Sequence, residues 1–267
     1  MNLANKLILD TNYINMVKIA VFDSGLGSLS IIKAIQKICK SDIIYFADQK
    51  NFPYGEKSKK QLEIIINQTI KILEKKFSPD LIIMASNTPS LIVKITNKKV
   101  IGVNPPLKEA MMLSKTKKIA ILGTQSAIKS KSLSNYIKKF NLSKEEKIYK
   151  INSSVLINLV ESNKFITDKT YCKKIIRKSL SNVFSNKVDV ATLSSTHLSF
   201  LKSILSSEFP HVKFIDPAND VAKKILTCIK NESKKNTIKI FTSGNVKLFQ
   251  KNLQKLGIKN KVNYLPT

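Results

Sequence analysis

Short apolar runs recur along this chain at strand length, separated by longer amphipathic segments, and that alternation restricts its fold more than any other feature. Runs over 17–22, 43–47, 81–85, 100–103, 119–123, 188–193, 212–215 and 238–242 read as buried strands. Helical periodicity appears over 59–75, 126–140, 168–184, 220–230 and 246–256. The alternation predicts an α/β protein with mainly parallel sheets. Ligands of open α/β sheets bind at the carboxyl ends of strands, so functional residues are sought just after each apolar run. With 267 residues, two domains are expected.

Composition removes several classes of protein. Hydrophobic residues at 43% and charged residues at 24% suit a packed globular chain rather than a disordered one. The longest charge-free stretch, 81–93, contains Ser86, Asn87 and Pro89 and falls short of the ~18 apolar residues of a membrane span. Leu7, Ile8 and Leu9 form an apolar patch that Asp10 cuts off, so no export leader is expected. Met16 directly precedes the first strand-like run, and residues 1–16 read as an N-terminal extension. Cys39, Cys172 and Cys228 have no ligand or disulfide spacing, which argues against zinc and for a cytoplasmic location.

The net charge of +28 raises the question of an anionic partner. Arg177 is the sole arginine and every other basic residue is lysine, scattered along the chain without aromatic interleaving. Groove readers depend on the bidentate guanidinium fork, so a specific nucleic-acid function is not expected.

Four strand-end loops stand out: Asp23-Ser24-Gly25-Leu26-Gly27-Ser28, Pro53-Tyr54-Gly55, Ser86-Asn87-Thr88 and Ser195-Thr196-His197. The stretches 80–88 and 189–197 share a pattern, with an acid, a short strand, a serine and two polar residues. They suggest two related half-sites facing one cleft. Gly25 and Gly27 lack the third glycine of a dinucleotide fingerprint, since Ser30 stands there. They read instead as a tight turn through which backbone approaches a small ligand. Taken singly, Asn87 and Thr88 also suit a helix cap, Tyr54 a turn and His197 a structural role.

In combination these motifs carry more. The run 19–27, then 53–55, 85–88, Gly123-Thr124-Gln125-Ser126-Ala127, 195–197, Ile215-Asp216 and 241–244 together resemble the glutamate racemases of the aspartate/glutamate racemase superfamily, in that family's order. The resemblance implies two pseudo-symmetric, flavodoxin-like lobes around a cleft, 17–103 with 216–267 and 104–215. It also implies cofactor-free, metal-free inversion of glutamate by two cysteines on opposite faces of the α-carbon, supplying D-glutamate to cell-wall precursors. A thiol suits that task because its pKa of ~8.5 lies near working pH. The cysteine positions are here Ser86 and Ser195. By the same resemblance Asp23 assists the first base, and His197 with Glu161 (in Leu159-Val160-Glu161) assists the second. Ser24, Tyr54, Gly55, Asn87, Thr88, Thr196, Asp23 and His197 are expected to bind substrate, and a homodimer is one assembly the resemblance allows. The second motif, 194–199, also departs around its serine, as do Ser28 and Pro89 elsewhere. Three functions remain open: an enzyme using serine, Asp23 or Glu161 as base, a non-catalytic binder of an acidic amino acid, and a lysine-rich scaffold for nucleic acid.

Overall fold

The computed structural model describes residues 17–229, 233 and 235–267. The extension expected over 1–16, and the last residue of the helix expected over 220–230, lie outside the described residues. Among the described residues ten strands form: β1 Lys18–Asp23, β2 Asp42–Ala47, β3 Leu81–Met84, β4 Val100–Gly102, β5 Lys118–Gly123, β6 Lys147–Asn152, β7 Val190–Ser194, β8 Lys213–Ile215, β9 Thr237–Thr242 and β10 Val262–Tyr264. They build a six-stranded sheet in the order β10-β9-β2-β1-β3-β4 and a four-stranded sheet in the order β6-β5-β7-β8. Every ladder is parallel.

Parallel strands covered by helices on both faces must be apolar throughout. Ile19, Ala20, Val21 and Phe22 of β1 are accordingly all fully buried. Helices Ser28–Ile38, Ala218–Cys228 and Val246–Lys255 cover one face of the larger sheet. Helix Lys59–Phe77 covers the other through Leu62, Ile66 and Leu73, its start fixed by a capping box between Ser58 and Gln61. Helix Lys169–Phe184 packs Cys172, Ile176 and Leu180 on one face of the smaller sheet, and Leu107, Ala110 and Leu133 pack on the other. Among the described residues no helix is long and apolar enough to cross a membrane.

The structure departs from the sequence pattern in three places. The edge strands β6 and β10 are absent from the apolar pattern, because half-exposed edges keep lysines and asparagines that dilute the signal. The helix expected over 126–140 is two helices, Gln125–Lys129 and Lys131–Lys138. Ser130 divides them: its backbone is extended (φ −70°, ψ 141°), and its hydroxyl accepts the Leu133 N–H at 3.0 Å. That cap starts the second helix afresh. Ser130→Ala is expected to cost about 1 kcal/mol in urea unfolding; an unchanged midpoint would mean the break does not depend on the hydroxyl.

Candidate active site

The carboxyl ends of β1, β2, β3 and β7 bring the four strand-end loops together, with the end of β5 beside them. Ser86 precedes the helix Asn87–Ile92, and Ser195 precedes the 3₁₀ helix Thr196–Leu201. Their backbones nearly coincide, at φ −141°, ψ 124° and φ −145°, ψ 130°. Neither hydroxyl caps its helix. The repeat seen in sequence is therefore a repeat of local conformation, and both serines line one cavity of ≈ 450 Å³.

Asp23, Ser24 and His197 line the same cavity, joined by Tyr54 and Gly55 from a 3₁₀ turn and by Asn87 and Thr88. Thr196 and Glu161 stand just behind it. The Thr196 hydroxyl lies 3.2 Å from Asp23 Oδ2 and 3.1 Å from the Ala85 carbonyl. Glu161 Oε1 sits 2.6 Å from His197 Nε2 and accepts the Leu26 N–H at 3.0 Å. None of the three cysteines lines the cavity. Among the described residues no group of three or more His, Cys, Asp or Glu is placed to hold a metal ion.

These contacts explain the glycine loop differently from the sequence reading. A Cβ on Gly27 would stand 2.2 Å from Thr196 Oγ1 and 2.4 Å from Asp23 Oδ2. One on Gly25 would stand 2.3 Å from Glu161 Oε1. Neither glycine lines the cavity. The glycines admit side chains from the segment that carries the smaller sheet, rather than admitting a ligand to backbone.

Burial sets the electrostatics. It pushes Glu161 up, but the hydrogen bond and charge of His197, with the Leu26 N–H, hold the carboxyl below its ordinary value. Burial pushes His197 down, yet the hydrogen bond and charge of Glu161, then Asp23, hold the imidazole above its ordinary value. Asp23 is raised by burial, which outweighs His197, the Ser24 N–H and the Ser86 hydroxyl. The arrangement is a hydrogen-bonded imidazole–carboxylate pair, each partner favouring the charged form of the other, beside a carboxyl whose ionisation burial disfavours.

Several residues at the site carry no role in the sequence reading. Asp48 is fully buried, and its carboxylate accepts the Tyr54 hydroxyl at 2.9 Å and the Ser243 hydroxyl at 2.8 Å. It thereby ties the Tyr54 turn to the end of β9. Thr124, at the end of β5, is 2.9 Å from the Thr88 hydroxyl and joins the two halves. The strand-end rule could have found Thr124. Gln125, Ser126, Lys129, Ser154 and Asn158 also line the cavity, and no motif marks them individually as binding residues.

Comparison with known proteins decides the ancestry of this arrangement. The Asp/Glu/hydantoin racemase family model matches residues 19–225. The chain belongs to that family. A glutamate racemase of Buchnera aphidicola subsp. Schizaphis graminum is 35% identical over 215 residues, covering 77% of this chain and 82% of that protein. One of Aquifex aeolicus is 31% identical over 223 residues, covering 81% and 85%. Among solved structures, a glutamate racemase isoform of Bacillus anthracis superposes with TM-score 0.81 at 24% identity, over 92% of this chain and 96% of its own. The Aquifex pyrophilus glutamate racemase superposes with TM-score 0.73 at 26% identity, over 92% and 98%. The paired parallel sheets are thus the family's fold.

Two outcomes are expected of the contact between the halves. Gly27→Ala should destabilise by about 1–3 kcal/mol, because Thr196 and Asp23 leave no room for the methyl group; unchanged urea unfolding would contradict this. A lowered carboxylate adds stability above its ordinary pKa that is lost as pH falls through the lowered value. A raised imidazole adds stability below its ordinary pKa that is lost as pH rises through the raised value. The pair therefore contributes fully between about pH 4.5 and 6.5. The melting-temperature advantage of wild type over Glu161→Gln should be largest there and shrink toward pH 9; a gap independent of pH would contradict the pairing.

Proposed function

We propose that the protein is glutamate racemase-like, takes glutamate in this cavity without a cofactor, and holds it without rapid inversion. One observation carries the reading: Ser86 and Ser195, in matching backbone conformations, face one cavity beside Asp23 and the His197–Glu161 pair. The glutamate racemase relatives support glutamate as the ligand class. In this reading Ser86 and Ser195 flank the α-carbon. Ser24, Tyr54, Gly55, Asn87, Thr88 and Thr196 contribute hydroxyl, amide and backbone groups for the ammonium and carboxylates. The lobes are 17–103 with 216–267, and 104–215. The protein acts in the cytoplasm.

Inversion requires one base to take the α-proton and an acid on the other face to return one. A thiol ionises near neutral pH, whereas a serine hydroxyl is a far weaker acid, so its alkoxide is scarce. Asp23 and the His197–Glu161 pair survive as the assistants of groups that are no longer thiols. A second, catalytic reading rests on Asp23, whose raised carboxyl lines the cavity and is a candidate base.

Proton NMR in deuterium oxide separates these readings. Wild-type protein is expected to bind L- and D-glutamate saturably and to leave the α-proton signal unchanged. The double variant Ser86→Cys with Ser195→Cys should start α-proton loss from both enantiomers, faster by roughly 10²-fold or more. Loss in wild type that Asp23→Ala abolishes would establish the catalytic reading instead. Absence of binding to either enantiomer would overturn the glutamate reading.

A further inference from the structure

Asp48, directly after β2, is 0% exposed yet does not line the cavity. Aspartate is almost never buried to that degree without a charged partner. Among the described residues, however, no cation lies within ion-pair distance of it. Neutral donors meet it instead. Asn51 Nδ2 lies 3.1 and 2.9 Å from its two oxygens, the Ser243 hydroxyl donates to Oδ1 at 2.8 Å, and the Tyr54 hydroxyl donates to Oδ2 at 2.9 Å. A carboxylate can accept all three groups because it offers lone pairs on both oxygens, whereas an amide would set its own NH₂ against them.

Two of those donors, Asn51 and Tyr54, belong to the loop that leads from β2 to the cavity wall. The Tyr54 phenol is buried in this polar cluster, where the Thr69 hydroxyl of helix Lys59–Phe77 also bonds it. Burial, and after it the charge of Asp48, holds the phenol well above its ordinary pKa, so it stays a donor. The hydroxyl of Tyr54 is thus committed to Asp48, and the turn offers its backbone to the site. The Tyr54 N–H lies 3.4 Å from Ser24 Oγ, which leaves the Ser24 proton for a ligand. Gly55 closes against the other half of the molecule, where an added Cβ would stand 3.0 Å from Thr124 Cγ2.

We propose that Asp48 is a positioning residue for the ligand site. Acting through the Tyr54 hydroxyl, it holds the turn at Tyr54 and Gly55 where that turn orients Ser24 and meets Thr124, and so sets glutamate affinity from outside the cavity. This rests on the proposed function. A side chain that merely filled the core would change affinity only as far as it changed folding. One that acts through Tyr54 has its effect on affinity coupled to that hydroxyl.

Isothermal titration of the full chain with L-glutamate, beside urea unfolding, tests the assignment. Asp48→Asn and Tyr54→Phe are each expected to weaken binding roughly tenfold, and the double variant to bind no more weakly than Asp48→Asn alone. Ser243→Ala removes a donor to the same carboxylate from the end of β9 rather than from the turn. It should lower the urea midpoint and keep affinity within about twofold. Multiplying losses in the double variant, or affinity that follows the urea midpoint across the set, overturns the role of Asp48 and leaves the glutamate site standing. If Asp48→Asn does not fold, Tyr54→Phe against Ser243→Ala decides, and equal affinities overturn the role. Wild type that binds no glutamate overturns both the role and the site.

Discussion

His197 and Glu161, 2.6 Å apart where the two sheet-bearing halves meet, form the contact on which the shape of the site depends. The His197 side chain is 7% exposed and that of Glu161 17%, so each would be costly to bury charged without the other. A buried pair of this kind is poor evidence for net stability, because desolvation offsets much of the attraction. Its effect is geometric. Glu161 also receives the Leu26 N–H, so the pair fixes the glycine loop after β1 against the loop after β7. Gly25 and Gly27 are the sequence's concession to that closeness.

The parallel topology supplies the rest. Strands that all run the same way present their carboxyl ends together, and the ends of β1, β3, β5 and β7 therefore converge. Two of them place a serine in the same extended conformation ahead of a helix. In a family whose named members are racemases, that pseudo-symmetry suits a reaction attacked from two faces. Here both positions carry hydroxyls, with Asp23 and the His197–Glu161 pair beside them.

Much of this fold is legible in the order of the amino acids alone. Central strands bury both faces, so β1, β2, β3, β5 and β7 appear as apolar runs. β6 and β10 do not, because an edge strand keeps polar residues on its open side. The break at Ser130 is hidden because serine is compatible with helix periodicity, and only its cap hydrogen bond shows the new start. Among site residues, Ser86, Ser195, Asp23 and His197 are legible because each follows a strand. Asp48 also follows a strand, β2, but no motif marks it, and its part shows only in the structure, where Tyr54 and Ser243, distant in sequence from one another, hold its buried carboxylate. The two glycines are legible as turn residues but not as the seat of Thr196 and Glu161, a contact made only when the halves meet.

The chain has two histidines, His197 in the cavity and His211 at an exposed turn before β8, so imidazole proton NMR offers a local probe with an internal control. The most direct test of the account is to follow both imidazole signals while L-glutamate is added at constant pH and ionic strength. A saturable shift of the His197 signal, with the His211 signal stationary, is the predicted result. A His197 signal that never moves, or two signals that drift together, would contradict an acidic amino acid binding between the two serines.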